Sequence, residues 1–213
     1  AIVNAVAPID AVIAGALTDE VPANLQPSLR GASGDKPEIY DNGCHVNLID
    51  TEPKVCVYGD TASDFTVALY GDSHAAQWFP ALNQIALDHH WRLVILTKMG
   101  CTTIDLITAN SLVGPTYPGC RPWREKVLER FAAENVRVVF MTSSNRLTDP
   151  ATGQPFADSI VKAGFATLIP QLQGMSISPI VITDTPYPGT DVPICLSKAI
   201  KNVGSCAFSR DKG

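Results

Sequence analysis

The sequence predicts an α/β domain built as a three-layer αβα sandwich around a mostly parallel sheet. Three observations point there. From residue 65 onward, short apolar runs alternate with stretches of helical periodicity. The apolar content of 46% is enough for a sizeable core in a chain of 213 residues. Unusual polar residues also gather immediately after the apolar runs, where a parallel sheet presents its ligand-binding edge.

The elements follow in order. Residues 1–20 are Ala-rich and apolar, interrupted by Pro8, and predict one helix or two short ones. Residues 21–64 are rich in Pro, Asp and Gly and read as an irregular, cysteine-containing arm. We therefore divide the chain into 1–64, helix and arm, and 65–213, the α/β domain. Phe65 to Tyr70 is a buried strand running into the turn Gly71-Asp72-Ser73-His74. Ala75 to His89 carries Ala76, Phe79, Leu82 and Ile85 at helical spacing, with Pro80 as an internal cost. Trp91 to Thr97 is a second strand, followed by a Thr/Gly/Pro-rich loop between Cys101 and Cys120. Pro122 to Glu134 predicts a helix with proline in its first turn, where the missing N–H matters least. Val136 to Met141 is a third strand, Phe156 to Leu172 a helix, and Pro179 to Thr183 a fourth strand.

Charge and cysteine content narrow the function classes. A net charge of −5 without a basic stripe excludes a phosphate-backbone partner, so no nucleic acid is expected. No Gly-rich phosphate loop and no His/Cys ligand cluster occurs, so no cofactor and no metal is expected. The six cysteines fall at 44, 56, 101, 120, 195 and 206. Pairing nearest neighbours gives Cys44–Cys56, Cys101–Cys120 and Cys195–Cys206, one connectivity among many. Disulfides imply an oxidising compartment; six free thiols in a cytosolic protein are the alternative. The chain opens on Ala1 with neither a signal peptide nor an apolar run of about 18 residues, and reads as a piece of something longer.

The strand ends carry the candidate chemistry. Ser73, at the start of a helix, exposes its hydroxyl and keeps an N–H that the helix does not use, as a nucleophile that helps bind its own oxyanion requires. Asp72 orients the turn. His74 lines the pocket or binds substrate. The third strand ends in Ser143-Ser144-Asn145-Arg146 and the fourth in Asp184-Thr185. His89 and His90 read as a solvated helix end, and His45 as structural.

The run from Tyr70 to Ala81, with Gly71-Asp72-Ser73-His74-Ala75-Ala76, resembles block I of SGNH/GDSL hydrolases. More closely it resembles the variant fused to membrane acyltransferase-3 proteins, which modify cell-envelope glycans. The cysteine arm, Thr97 to Cys101 and Asp184-Thr185-Pro186 extend the likeness over about residues 20–206. The resemblance implies an SGNH hydrolase-like fold with flavodoxin-like winding and a catalytic Ser73. Gly100 and Asn145 become oxyanion candidates, while Ser143, Ser144 and Arg146 join His74 as substrate-binding candidates. The family's Gly-x-Asn-Asp block does not occur. Its Asp-x-x-His, which supplies the base, has no counterpart after Asp184.

The function so implied is an extracytoplasmic serine acyltransferase domain. It would receive an acyl group from a membrane acyltransferase domain outside this chain, which also tethers it, and pass that group to a sugar or glycolipid hydroxyl. A secreted carbohydrate esterase, with water as acceptor, uses the same serine. A glycan-binding module that keeps the fold without chemistry is the third reading, and the unmatched Asp-x-x-His favours it.

Overall fold

The computed structural model describes residues 19–209. The helix expected in residues 1–20 falls almost wholly outside them. Two compact units emerge, residues 37–184 and, in the described chain, residues 19–36 with 185–209.

The larger unit is a mostly parallel sheet covered by helices. Its elements are β1 (His45–Val46), β2 (Val57–Gly59), β3 (Thr66–Gly71), α1 (Ser73–Ala76), α2 (Phe79–Asp88), β4 (Arg92–Lys98), α3 (Cys120–Ala133), β5 (Val136–Thr142), α4 (Asp158–Gly174) and β6 (Ser178–Val181). The sheet runs β1-β4-β3-β5-β6, and β2 also pairs with β4, antiparallel to it. The long strands therefore follow the flavodoxin-like order, with β3 flanked by β4 and β5.

The central strands are apolar through their middles because both faces are covered there. Ala68, Tyr70, Val94, Leu96, Val139 and Met141 face one core, with Trp123, Val127 and Phe131 of α3 and Leu168 and Leu172 of α4. Val67, Leu69, Leu93 and Ile95 face the other, with Ala75 and Ala76 of α1 and Phe79, Leu82 and Ala86 of α2. The alternation within each strand is the period-two signature of a pleated sheet buried on both sides.

Two expectations change in detail. The helix predicted from Ala75 to His89 is two, α1 and α2, joined at Gln77-Trp78. Pro80 lies in the first turn of α2, so it opens a new helix there instead of interrupting a longer one. The arm also proves less irregular than its composition suggests. Val46 pairs with Lys98, and Val57 to Gly59 pair with Val94 to Arg92, so the arm supplies the strands beside β4. Cys44–Cys56 closes the segment between them. The buried Lys98 ammonium ties the chain after β1 by donating to the carbonyls of Asn47 at 2.5 Å and Asp50 at 2.7 Å.

The smaller unit contains α5 (Val192–Lys198), N-capped by Asp191, whose side chain accepts from the Ile194 N–H at 2.9 Å. Cys195–Cys206 links this helix to the turn that follows. The Val21 N–H donates to the Ile200 carbonyl at 2.8 Å, and the Val203 N–H to that of Asp19 at 3.0 Å. With Cys101–Cys120 in the larger unit, all three nearest-neighbour disulfides are formed. Among the described residues no helix is long and apolar enough to cross a membrane.

Candidate functional site

The carboxyl edge of the sheet holds the residues singled out by the sequence. β3 ends at Gly71, whose φ of +150° and close approach to β5 suit only glycine: a Cβ there would sit 1.9 Å from the Thr142 carbonyl oxygen. This close passage lets the chain turn sharply into Asp72.

Asp72 is 2% exposed and caps α1. Its Oδ1 accepts the His74 N–H at 2.8 Å and its Oδ2 accepts the Ser144 N–H at 2.9 Å. One carboxylate therefore holds the serine turn against the segment leaving β5. Burial pushes the Asp72 carboxyl above the usual range, an effect opposed by the Ser144 N–H, the His74 charge and the His74 N–H. Ser73 is the first residue of α1, so its N–H belongs to the first-turn amides that a helix leaves without an internal acceptor.

His74 Nδ1 lies 2.6 Å from Asp184 Oδ1. Asp184 follows β6, and its side chain is 4% exposed against 36% for that of His74. Its other oxygen accepts the Asn145 N–H at 2.9 Å. A carboxylate only accepts, so Nδ1 carries a proton in this pair and donates it to Asp184.

A cavity of about 670 Å³ opens at this edge, and Ser73, His74, Asp72, Gly100, Ser144 and Arg146 all line it. Its far walls come from the loops after β4 and β5, stitched by the Ala109 N–H donating to the Thr148 carbonyl at 3.0 Å. Among the described residues, two of the expected site residues do not line it. Ser143 Oγ is taken up by Thr103, whose N–H it accepts at 2.9 Å. Asn145 spends its N–H on Asp184. Ser144 does line the cavity, but its N–H is committed to Asp72 and its Oγ accepts the Arg146 N–H at 3.2 Å.

The sequence reading left two neighbours without a role. Asp184 was visible only as a polar residue after a strand; that it meets His74, 110 positions away, depends on β3 and β6 both flanking β5. Tyr40 packs against the buried His45 ring, the two rings tilted by 43° with centroids 4.5 Å apart. Burial and then the Asp72 charge raise its phenol pKa, so it borders the same turn from the arm side.

A smaller cavity of about 400 Å³ lies between α3 and α4. Its buried Arg124 is already paired, donating to Asp105 Oδ1 at 2.5 Å. Among the described residues, no three His, Cys, Asp or Glu side chains cluster as a metal site.

A mostly parallel three-layer domain with a Gly-Asp-Ser-His turn at the carboxyl edge of its first long strand has the architecture of an SGNH hydrolase-like fold. The chain belongs to the family described as the SGNH domain fused to AT3 domains, whose model matches residues 43–212. Among solved structures, it is similar to the periplasmic domain of the lipopolysaccharide acetyltransferase of Salmonella ser. Paratyphi A. That likeness has a TM-score of 0.53 at 14% identity and covers 75% of this chain and 54% of the other. The chain thus spans about half the length of that neighbour, and the likeness at this identity is one of fold. No curated protein matches the sequence.

Proposed function

We propose that this domain carries an acyl group on Ser73 and delivers it to a hydroxyl of a cell-envelope glycan or glycolipid. The observation that carries the reading is the position of Ser73. It stands in the wall of a cavity of about 670 Å³, at the carboxyl edge of the sheet, on a turn pinned from below by the buried Asp72.

In this reading Ser73 Oγ attacks the carbonyl carbon of the acyl donor. The Ser73 N–H stabilises the oxyanion, with Gly100, which lines the same cavity, as second donor; Asn145, whose N–H is engaged by Asp184, is not used. Arg146 binds an anionic part of the donor or acceptor. Asp72 keeps the turn rigid and takes no part in proton transfer. The family's fusion to AT3 domains supports a membrane acyltransferase domain as source of the acyl group and as tether. The three disulfides support an extracytoplasmic location, as does the periplasmic setting of the structural neighbour.

The test is to express the parent protein and its Ser73→Ala variant in cells and compare envelope glycan acylation, with peptide mass spectrometry for an acyl group on Ser73. Loss of acylation in the variant and an acylated Ser73 peptide in the parent support the reading. Unchanged acylation in the variant refutes it.

A further inference from the structure

We infer that the cavity between α3 and α4 is a second ligand site, one that holds a neutral, hexose-sized sugar ring. The inference goes beyond the acyl-transfer reading and does not involve Ser73.

The way the two helices meet is the first observation. α3 turns Arg121, Arg124, Glu125 and Leu128 to the cavity, at i, i+3, i+4 and i+7, and α4 matches that spacing from Gly164 to Gln171. Helices on one face of a sheet ordinarily bury apolar stripes against each other. Here the facing stripes are mostly polar and enclose a cavity of about 400 Å³, within the range of small-molecule sites, about 300–1,000 Å³.

The chemistry of the lining selects the ligand. Asp105, Arg121, Arg124, Glu125 and Gln171 are planar groups, each with two or more hydrogen-bonding atoms side by side. Neighbouring hydroxyls on a sugar ring are spaced to meet such pairs, while the C–H face of the ring needs an apolar wall. Leu128, Leu168 and Tyr70 supply that wall, since the Tyr70 hydroxyl is spent on the Thr103 carbonyl at 2.9 Å. Two arginines and two carboxylates cancel, so the lining favours neither an anion nor a cation.

The polar groups are also set before any ligand arrives. The Arg124 side chain is 7% exposed and donates to Asp105 Oδ1 at 2.5 Å and to the Thr102 carbonyl at 3.5 Å. Arg121 Nε donates to the same Asp105 oxygen at 3.1 Å, so Oδ2 stays outside both bonds. Asp105 and Arg121 are exposed, and the mouth of the cavity therefore carries an acceptor and a donor above a buried guanidinium. Gly164 lets α4 close onto the loop that bears Asp105: a Cβ there would lie 2.8 Å from Ile104 Cδ1.

The test titrates the isotope-labelled full chain with D-glucose, D-galactose and D-mannose and follows the backbone amides by NMR. Sodium phosphate and sodium acetate are titrated in parallel. At least one hexose is expected to give saturable shifts in the millimolar range at Thr103, Arg124, Gly164 and Gln171. Two variants at exposed positions of α4 check the location. Gln171→Ala removes a hydrogen-bonding pair, and Thr167→Trp fills the cavity. Each is expected to weaken binding by roughly tenfold or more while the circular dichroism spectrum stays that of the parent. No saturable shift with any of the three hexoses overturns the inference. So do shifts gathered at Ser73 and Asn110 instead, binding unchanged in both variants, or saturation by the two anions and not by the hexoses. The assay reads binding alone, so its failure leaves the acyl-transfer reading standing. Unchanged glycan acylation in Ser73→Ala refutes that reading and leaves this site standing.

Discussion

Replacing Gly71 with alanine tests whether the close passage of β3 and β5 holds the serine turn in place. The added Cβ would lie 1.9 Å from the Thr142 carbonyl oxygen and 2.8 Å from the Ala75 Cβ. An ordinary C···O contact is about 3.3 Å, so the strands must part by more than an ångström where Gly71 pairs with Thr142. That displacement breaks the end of the ladder at about 1 kcal/mol per hydrogen bond. Overpacking adds about 1–3 kcal/mol, and a non-glycine residue at this φ a further 1–2 kcal/mol, roughly. Thr142 also leads to Ser144, whose N–H holds Asp72, so the cap of α1 loosens with it. The expected loss is about 4 kcal/mol, read as a lower urea midpoint at unchanged slope. Gly153→Ala is the control. Gly153 has φ +68° with nothing within 4 Å of its virtual Cβ, so it reports the conformational cost alone, about 1 kcal/mol. If the two variants lose the same stability, the contact with Thr142 does not constrain the fold and the reasoning fails.

Asp72→Ala removes the α1 cap and leaves the half-buried His74 and Ser144 amides without their acceptor. A loss of about 3 kcal/mol is expected in urea unfolding, with Asp72→Asn recovering roughly half because its amide oxygen serves one of the two donors. Equal stability of Ala, Asn and parent would refute the bracing role. For His45, burial first and the Lys98 charge second depress the pKa to about 4 from 6.5. Below pH 6.5 the unfolded chain takes up a proton that the folded one refuses, so stability falls as pH drops from 6.5 towards 4. The His45 share between pH 7 and pH 4.5 is roughly 2.5 kcal/mol. His45→Gln should flatten that slope in unfolding measured at both pH values; an unchanged slope counts against it. Replacing Cys101 and Cys120 together by alanine opens a bridge with a sequence separation of 19 and should cost about 3 kcal/mol through the unfolded chain, measured by thermal or urea unfolding.

The core was legible because each of its six- or seven-residue strands centres on an apolar run of about four residues, and both faces of the sheet want the same chemistry. Their predicted ends shift by only a residue or two. β1 and β2, with two and three residues, were not legible. Segments so short have no periodicity of their own; they are strands because β4 offers them unpaired backbone groups. The turn at Ser73 could be read locally, since capping and glycine geometry act over three or four residues. The meeting of His74 with Asp184 could not, because it is set by strand order and not by sequence distance. Asn145 and Ser143 were chosen from their place after a strand, and only the folded chain reveals that Asp184 and Thr103 engage them.

The three disulfides span 12, 19 and 11 residues, and no two of their loops overlap along the chain. A chain appearing from its N-terminus can therefore close each bond before the cysteines of the next one arrive. Cys44 and Cys56 meet before β4, the strand their segment later joins, has been delivered. Mispairing would require a cysteine to wait, reduced, past its nearest partner. The order in which the chain emerges thus favours the correct connectivity, since each bond joins a cysteine to the next one delivered.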